Sequence, residues 1–168
     1  MGYTTDFSGE FKLNKKLSKK HKEYLAAFSE TRRMKRNPSI AETLPDKKRL
    51  AVKLPIGIEA EYFVGGTGMC GQDHDKSITD YNAEPSSQPG LWCQWVPDDE
   101  GTAIVWDGGE KFYCYVEWIE YIIKHFLEPW GYKLNGEVEW QGEESDDRGL
   151  IVIKNNKVST KHAFVSFR

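Results

Sequence analysis

The stretch from Asp107 to Glu128 constrains the fold of this chain more than any other part of the sequence. Asp107 followed three residues later by Glu110 is a capping-box pattern, and Pro129 predicts where the helix ends, because proline cannot continue one. Polar residues form one narrow stripe of the helical wheel: Glu117, Glu120, Lys124 and Glu128. Apolar and aromatic side chains fill the rest of the wheel, so the sequence predicts a single, largely enclosed helix against a sheet.

The segments before this helix predict one strand, two helices and a second strand. Residues 3–13 alternate between apolar and polar side chains, as a strand does. Ser18 is a predicted N-cap for an amphipathic helix that runs to about Met34. Residues 39–54 predict a shorter helix, and the β-prone residues 61–64 predict a short strand.

Further strands are predicted at residues 91–97, 102–106, 137–141, 150–153 and 157–167. The first two form a hairpin, and Asn155-Asn156 is typical of a type I′ turn between the last two. The order of these elements predicts an α+β fold. It is a mainly antiparallel sheet packed around one long aromatic-rich helix, with an N-terminal amphipathic helix.

The 168 residues predict a single domain, 1–168, whose charge is unevenly distributed. Residues 1–53, the N-terminal strand and helices, hold 14 lysines and arginines against 6 acidic residues. Residues 54–168, the α+β body, hold 9 against 20. A basic arm suits nucleic acid and an acidic body suits a basic partner, whereas two solvated or mutually docked parts need no partner.

The basic part contains one dense run of cations: Arg32, Arg33, Lys35 and Arg36. Such a run can bind phosphate or nucleic acid. At the end of a predicted helix it can equally stabilise the helix dipole, and no aromatic residue interleaves with it. Nucleic-acid binding is therefore the weaker alternative.

The location predicted for the chain is the cytoplasm. Cys70, Cys93 and Cys114 are an odd number without zinc spacing, which favours reduced thiols. The polar, lysine-rich N-terminus contains no secretion signal, and no apolar run approaches the length of a membrane span. The sequence predicts no membrane association, no metal site and no cofactor.

The long stretch from Gly65 to Gly90 is the predicted place for a ligand, because long loops in compact domains are often functional. Its start, Gly65-Gly66-Thr67-Gly68, is no P-loop, yet backbone amides there can form an anion-binding nest or simply a flexible turn. Residues predicted to bind a ligand are Gly65, Gly66, Gly68, Gln72, Tyr81, Trp92 and Trp130. Trp92 and Trp130 adjoin loops, whereas the other four tryptophans are expected in the core.

Candidate catalytic groups are weak and lie in the same stretch: Asp73, His74, Asp75 and Asp80. Their spacing matches no EF-hand and no standard zinc site, so a solvated acidic loop is the simpler interpretation. Cys114 and His125 suggest a nucleophile and a base, but eleven residues of helix separate them by about 16 Å. They are therefore predicted to be packing residues.

Several segments carry a resemblance to a known family: GYTTDFSGEF, FSETRRMKRN, YFVGGTG with GQD and DYN, QPGLWCQWVP, WDGGEKFYCYVEW, HFLEPWGYKLNGEVEWQGE and DDRGLIVIKNN. Up to about residue 158 the chain resembles a family of uncharacterised small bacterial and phage-associated proteins. The resemblance implies a cytoplasmic, single-domain protein and transfers no catalytic residue.

These features favour a non-enzymatic binding protein with a protein partner or a small ligand. One version, suggested by the phage association, acts on a host defence or regulatory partner through the acidic body. The alternative is a small hydrolase or transferase that acts on a phosphorylated or nucleotide-like substrate through the Gly65–Gly90 loop. Nucleic-acid binding through the basic helix is the second alternative.

Overall fold

The structure is a computed structural model that describes residues 2–65 and 75–163. The chain forms two compact units. The first comprises Met1–Leu17 and Gln94–Arg168, and the second comprises Ser18–Cys93. Neither boundary coincides with the change of charge at residue 53, because the first strand belongs to the same unit as the acidic body. The single-domain organisation stays a prediction.

The described residues contain eight strands and four α-helices. The strands are β1 (Asp6–Leu13), β2 (Lys35–Arg36), β3 (Ile78–Asp80), β4 (Trp95–Pro97), β5 (Ala103–Trp106), β6 (Leu134–Gln141), β7 (Arg148–Lys154) and β8 (Lys157–His162). The helices are α1 (Lys19–Glu30), α2 (Pro38–Ala41), α3 (Lys47–Ala51) and α4 (Tyr115–Ile122), and α4 continues into a π-helical turn, Ile123–Leu127. The predicted α+β class is confirmed.

The first unit is built on a six-stranded sheet in the order β4-β5-β1-β6-β7-β8, and every pairing is antiparallel. Val138 and Trp140 on β6 are buried, whereas Glu137 and Glu139 are exposed, as their alternation predicts. Asn155 and Asn156 both have positive φ and join β7 to β8, as a type I′ turn requires. The sheet therefore has one apolar inner face and one polar outer face.

Phe7 on β1 is the centre of an aromatic cluster on the inner face. Its ring lies 4.9–5.7 Å from four other rings, all in edge-on geometry: Trp95, Trp106, Phe112 and Tyr115. The Trp95 indole also donates a hydrogen bond to the Tyr115 carbonyl at 2.8 Å. These contacts join three strands to the segment that leads into α4.

The long helix predicted from Asp107 is not confirmed, since its helical part begins at Tyr115. Asp107 accepts a hydrogen bond from the Gly109 amide at 2.7 Å, which closes a local turn in place of a helix cap. Lys111 and Cys114 both have left-handed backbone conformations, which a right-handed helix excludes. Gln94 holds this segment by donating to the Glu110 carbonyl.

The helical segment ends before Pro129, and its faces follow the predicted pattern. Glu117, Glu120, Lys124 and Glu128 are all exposed. Trp118, Ile119 and Ile122 are buried on the opposite side. A wide turn replaces the last α-turn, because the Glu128 amide donates to the Ile123 carbonyl five residues earlier.

The second unit differs from the prediction at four places. Ser18 caps α1 as predicted, but α1 ends at Glu30 instead of Met34. Residues 39–54 contain two short helices, α2 and α3, and residues 61–64 form a turn followed by irregular chain instead of a strand. The small antiparallel pair of β2 and β3 has too few residues to show a pattern in the sequence.

No helix in the described ranges is long and apolar enough to cross a membrane.

Gly136 on β6 is a position where a side chain would disturb the sheet. Its φ is +141°, and an added Cβ would lie 2.7 Å from the Glu10 carbonyl oxygen on β1. We expect Gly136→Ala to lower the free energy of unfolding by about 3 kcal/mol, from backbone strain and the clash together. Urea unfolding followed by circular dichroism measures the change.

Gly108→Ala is the matched control, because Gly108 also has positive φ but an added Cβ would meet nothing within 4 Å. Strain alone predicts a loss of about 1 kcal/mol there. Equal losses in the two variants would show that the close approach of β1 and β6 is unimportant.

Candidate functional site

The inner face of the first unit contains a cavity of about 410 Å³ between the start of α4 and strands β6 and β8. Its lining residues are Cys114, Tyr115, Val116, Glu117, Trp140, Thr160 and His162. This volume lies within the range of small-molecule sites. We call it the α4 cavity.

Aromatic rings form the walls of the α4 cavity. The Trp140 ring lies 5.9 Å from Tyr115 and 5.2 Å from His162, and the His162 contact is edge-on. The Trp140 indole donates to Asp147 Oδ1 at 3.0 Å, which fixes the orientation of the ring. Tyr115 is in turn held by Phe7 at 4.9 Å. The walls are therefore fixed by neighbours outside the cavity.

Polar groups from two elements complete the α4 cavity. The first turn of α4 supplies Glu117, and the edge strand β8 supplies Thr160 and His162, which are exposed. Burial, with a smaller contribution from the Asp147 carboxylate, raises the pKa of Tyr115 to about 12. Its phenol therefore stays neutral near pH 7. The α4 cavity combines aromatic surface with a carboxylate, a hydroxyl and an imidazole.

Cys114 lies at the entrance to α4, where its carbonyl accepts the first helical hydrogen bond, from the Trp118 amide at 2.9 Å. Its backbone is left-handed, with φ 55° and ψ 39°, and its side chain is exposed. His125 lies elsewhere and stacks on Tyr121 at 3.9 Å. The histidine that shares a cavity with Cys114 is thus His162, not His125.

His162 and Thr160 are residues that sequence analysis missed. A signal for them exists, because the turn at Asn155-Asn156 fixes the register of β8 against β7. Gly149 is then opposite His162, and Trp140 is opposite Gly149. No such turn fixes the register of β6 against β7. The sequence therefore does not show that Trp140 and His162 lie in the same row across the sheet, and only the tertiary structure shows it.

The predicted phosphate-binding cations serve the second unit internally. Arg33 and Arg36 are only 2% and 3% exposed. Arg33 donates to the Glu61 and Phe63 carbonyls at 2.9 and 2.6 Å. Arg36 donates to the Asp75 carboxylate and the Ser77 hydroxyl, both at 2.8 Å. Phosphate binding by the four cations stays a prediction, but Arg33 and Arg36 are buried and bonded within the unit.

The other two cations also have partners in the second unit. Arg32 donates to the Tyr81 carbonyl at 3.0 Å, and its guanidinium lies 4.4 Å from the centre of the Tyr81 ring. Lys35 forms an ion pair with Glu59 at 3.7 Å. Tyr81, a predicted ligand residue, thus packs under Arg32.

The start of the Gly65–Gly90 stretch is anchored by a charged group. Asp46 accepts hydrogen bonds from the Val64 and Gly65 amides at 3.2 and 3.0 Å, and its carboxylate is paired with Arg49. Burial raises the pKa of Asp46, although the Arg49 guanidinium opposes the shift. Five predicted site residues lie outside the described residues: Gly66, Gly68, Gln72, Asp73 and His74.

The described catalytic candidates have local structural contacts. Asp80 is exposed and accepts from the Asn82 amide at 2.9 Å, and Asp75 pairs with Arg36. Within residues 2–65 and 75–163, no three His, Cys, Asp or Glu side chains converge as metal ligands do.

The two tryptophans predicted to bind a ligand are half-buried, and neither lines the α4 cavity. Trp130 packs on Phe126 with ring centres 5.6 Å apart. The tryptophan that does line the cavity is Trp140, which sequence analysis assigned to the core and which is 2% exposed.

Comparison of the chain with protein-family models, curated proteins and solved structures gives no match.

The ion pair between Arg36 and Asp75 makes the stability of the second unit depend on pH. Burial opposes ionisation of Asp75, but hydrogen bonds from Ser77 and Arg36 outweigh it and lower the pKa of the carboxyl. Because the folded-state pKa lies below the unfolded value, the stabilisation is present at neutral pH and is lost as the pH falls below about 4.

We expect Asp75→Asn to lower the free energy of unfolding by about 1–3 kcal/mol at pH 7, because the buried Arg36 loses its carboxylate. The difference from the unsubstituted chain should shrink as the pH falls towards 3. Urea unfolding at a series of pH values measures both effects. Asp80→Asn, at an exposed carboxylate, is the control, and a difference for Asp75→Asn that is constant with pH would contradict the assignment.

Proposed function

We propose that this chain is a binding protein that takes a small planar ligand in the α4 cavity. The observation that carries the proposal is the set of three rings around it, Tyr115, Trp140 and His162, with a carboxylate and a hydroxyl beside them. Aromatic walls with a few polar groups are the usual composition of small-molecule sites.

The chemistry of the walls defines the class of ligand. Flat rings favour a flat ligand, because stacked and edge-on contacts each contribute about 0.5–1.5 kcal/mol beyond the area they bury. Glu117 accepts hydrogen bonds and attracts a positive charge, and Thr160 both donates and accepts. A nitrogen heterocycle that carries an amino group satisfies all of these partners.

The wider hypothesis, a phage-associated protein that acts on a host defence or regulatory partner, is compatible with a ligand site of this kind. In this hypothesis exposed carboxylates of the first unit, such as Glu137, meet a basic partner. Nucleic-acid binding through the basic N-terminal helix, with Arg32, Arg33, Lys35 and Arg36, remains a separate hypothesis, and salt dependence in a mobility assay tests it.

Amide chemical shifts in a two-dimensional NMR titration test the ligand proposal, with adenine, benzimidazole and tryptamine as probes. We expect the shift changes to concentrate at residues 114–117 and 160–162. His162→Ala removes one aromatic wall of the cavity. Because His162 is exposed, the fold should be retained, while the affinity for the probe should fall about tenfold, the equivalent of 1.4 kcal/mol.

Tyr113→Ala is the matched control, because Tyr113 is an exposed aromatic next to Cys114 that does not line the cavity. The Tyr113→Ala variant should bind each probe with the same affinity as the unsubstituted chain. Shift changes at unrelated positions, or equal affinities in the His162→Ala and Tyr113→Ala variants, would reject the α4 cavity as the binding site.

A small hydrolase or transferase is the second candidate, favoured by one observation. Cys114 and His162 line the same cavity, and an imidazole can activate a neighbouring thiol by accepting its proton. In this version the proton of the Cys114 thiol moves to His162, and the thiolate sulfur attacks an acyl carbon of the substrate. The bond between that carbon and its leaving group breaks, the leaving group takes the proton from His162, and water or a second acceptor then cleaves the thioester.

Alkylation by iodoacetamide tests this second candidate without knowledge of the substrate. Peptide mapping by mass spectrometry should show faster labelling of the exposed Cys114 than of the buried Cys93. His162→Ala should slow the labelling of Cys114 at least about threefold, because the proton acceptor is gone. His125→Ala controls for loss of a histidine, and equal rates in both variants would eliminate the pair.

A further inference from the structure

The outer face of the six-stranded sheet is a second surface of the first unit. Register and burial place alternate residues of its four consecutive strands β1, β6, β7 and β8 on this face. Those that matter for the charge of this face are Glu10 on β1, Glu137 and Glu139 on β6, Leu150 on β7, and Lys157 and Lys161 on β8.

Charge on this face is ordered in stripes that run along the strands. β1 and β6 carry four carboxylates, Asp6, Glu10, Glu137 and Glu139, whereas β8 carries Lys157 and Lys161. Leu150, which is partly exposed, lies between them on β7, and Val152 beside it is buried. One row across the strands contains an acidic, an apolar and a basic residue. Glu139 on β6 lies opposite Leu150 on β7, and Leu150 lies opposite Lys161 on β8.

The acidic stripe contains an unfavourable pair. Glu10 and Glu137 are directly opposite each other on β1 and β6, and both are exposed. Like charges at directly opposite positions destabilise a sheet.

We propose that the outer face is the contact between two copies of this chain in a homodimer. In this dimer a two-fold axis runs parallel to the strands and above β7. Rotation about this axis places the acidic stripe of one copy opposite the basic stripe of the other. It places β6 of each copy over β8 of the other, and Leu150 of one copy beside Leu150 of the second. Glu139 of the first copy then faces Lys161 of the second copy, and Lys161 of the first copy faces Glu139 of the second. The same patch is thus complementary to itself, as a two-fold interface requires.

The shape of the outer face agrees with the proposed dimer. A shallow cavity of about 250 Å³ opens where β7 begins and β8 ends, beside Leu150, and is lined by Glu139, Arg148, Gly149, Leu150, Lys161, His162 and Ala163. An apolar centre flanked by charges of opposite sign is the general layout of a protein interface. The depression around Leu150 gives the second copy room for its own leucine.

The area limits the strength of the dimer. Three overlapping strands at 4.8 Å spacing and six residues of about 3.3 Å give a flat footprint of roughly 300 Å² per copy. Stable interfaces bury about 800 Å² per partner, so the dimer is weak and reversible.

Arg148 and Lys154 lie near the axis and repel their counterparts, although Arg148 already pairs with Glu139 at 3.2 Å.

Analytical ultracentrifugation of the full chain at low salt tests the proposal. Across a concentration series from about 10 µM to about 1 mM, the range that suits an interface of this size, the unsubstituted chain should pass from monomer to dimer. Because the contacts are ionic, added salt should weaken the dimer.

Charge reversal then tests which residues form the contact. Glu139→Lys or Lys161→Glu alone places like charges at both symmetric contacts, and each should weaken dimerisation at least about tenfold. An equimolar mixture of these two variants restores opposite charges at both contacts, so it should form heterodimers. Rescue in the mixture also shows that both variants are folded.

Glu120→Lys and Lys124→Glu are the matched controls, because they make the same changes of charge on the exposed stripe of the helix. They should dimerise as the unsubstituted chain does. The proposal is overturned by a chain that stays monomeric through the whole series, by single variants that dimerise normally, or by a mixture no more dimeric than its components.

Discussion

The edge-on packing of aromatic rings around Phe7 is the interaction on which the first unit depends. One side chain on β1 holds Trp95 and Trp106 of the hairpin and also Phe112 and Tyr115, which precede and begin α4. Each edge-on pair contributes about 0.5–1.5 kcal/mol in addition to burial. The cluster therefore fixes both the N-terminal strand and the entrance to the helix.

The α4 cavity follows from this cluster. Because residues 107–114 are tied to the sheet by Phe112 and by Gln94, the helix begins late and its first turn comes to lie against Trp140. A helix that began at Asp107 would need helical φ and ψ at Lys111 and Cys114, which are left-handed. The same late start brings Cys114 and Glu117 to the side of the sheet where β8 presents His162.

The second unit is organised by buried charges instead of rings. Arg33, Arg36 and Asp46 each bind backbone or side-chain groups next to the glycine-containing stretch. Removing one partner of a buried charge is costly, whereas an exposed cation contributes little. A dense run of cations in a sequence is thus no evidence of a surface, since two of these four are taken up by internal acceptors.

Five features could be predicted from the order of the amino acids: the α+β class, the two faces of β6, the capping of α1 by Ser18, the Asn155-Asn156 turn and the exposed stripe of the helix. Each follows from local chemistry or from the periodicity of helices and strands. Three others emerged only when the chain was folded: where the long helix begins, which cations are buried, and that Trp140, His162 and Cys114 share a cavity. These outcomes depend on contacts between residues far apart in the chain, and such contacts override a local capping signal worth about 1 kcal/mol.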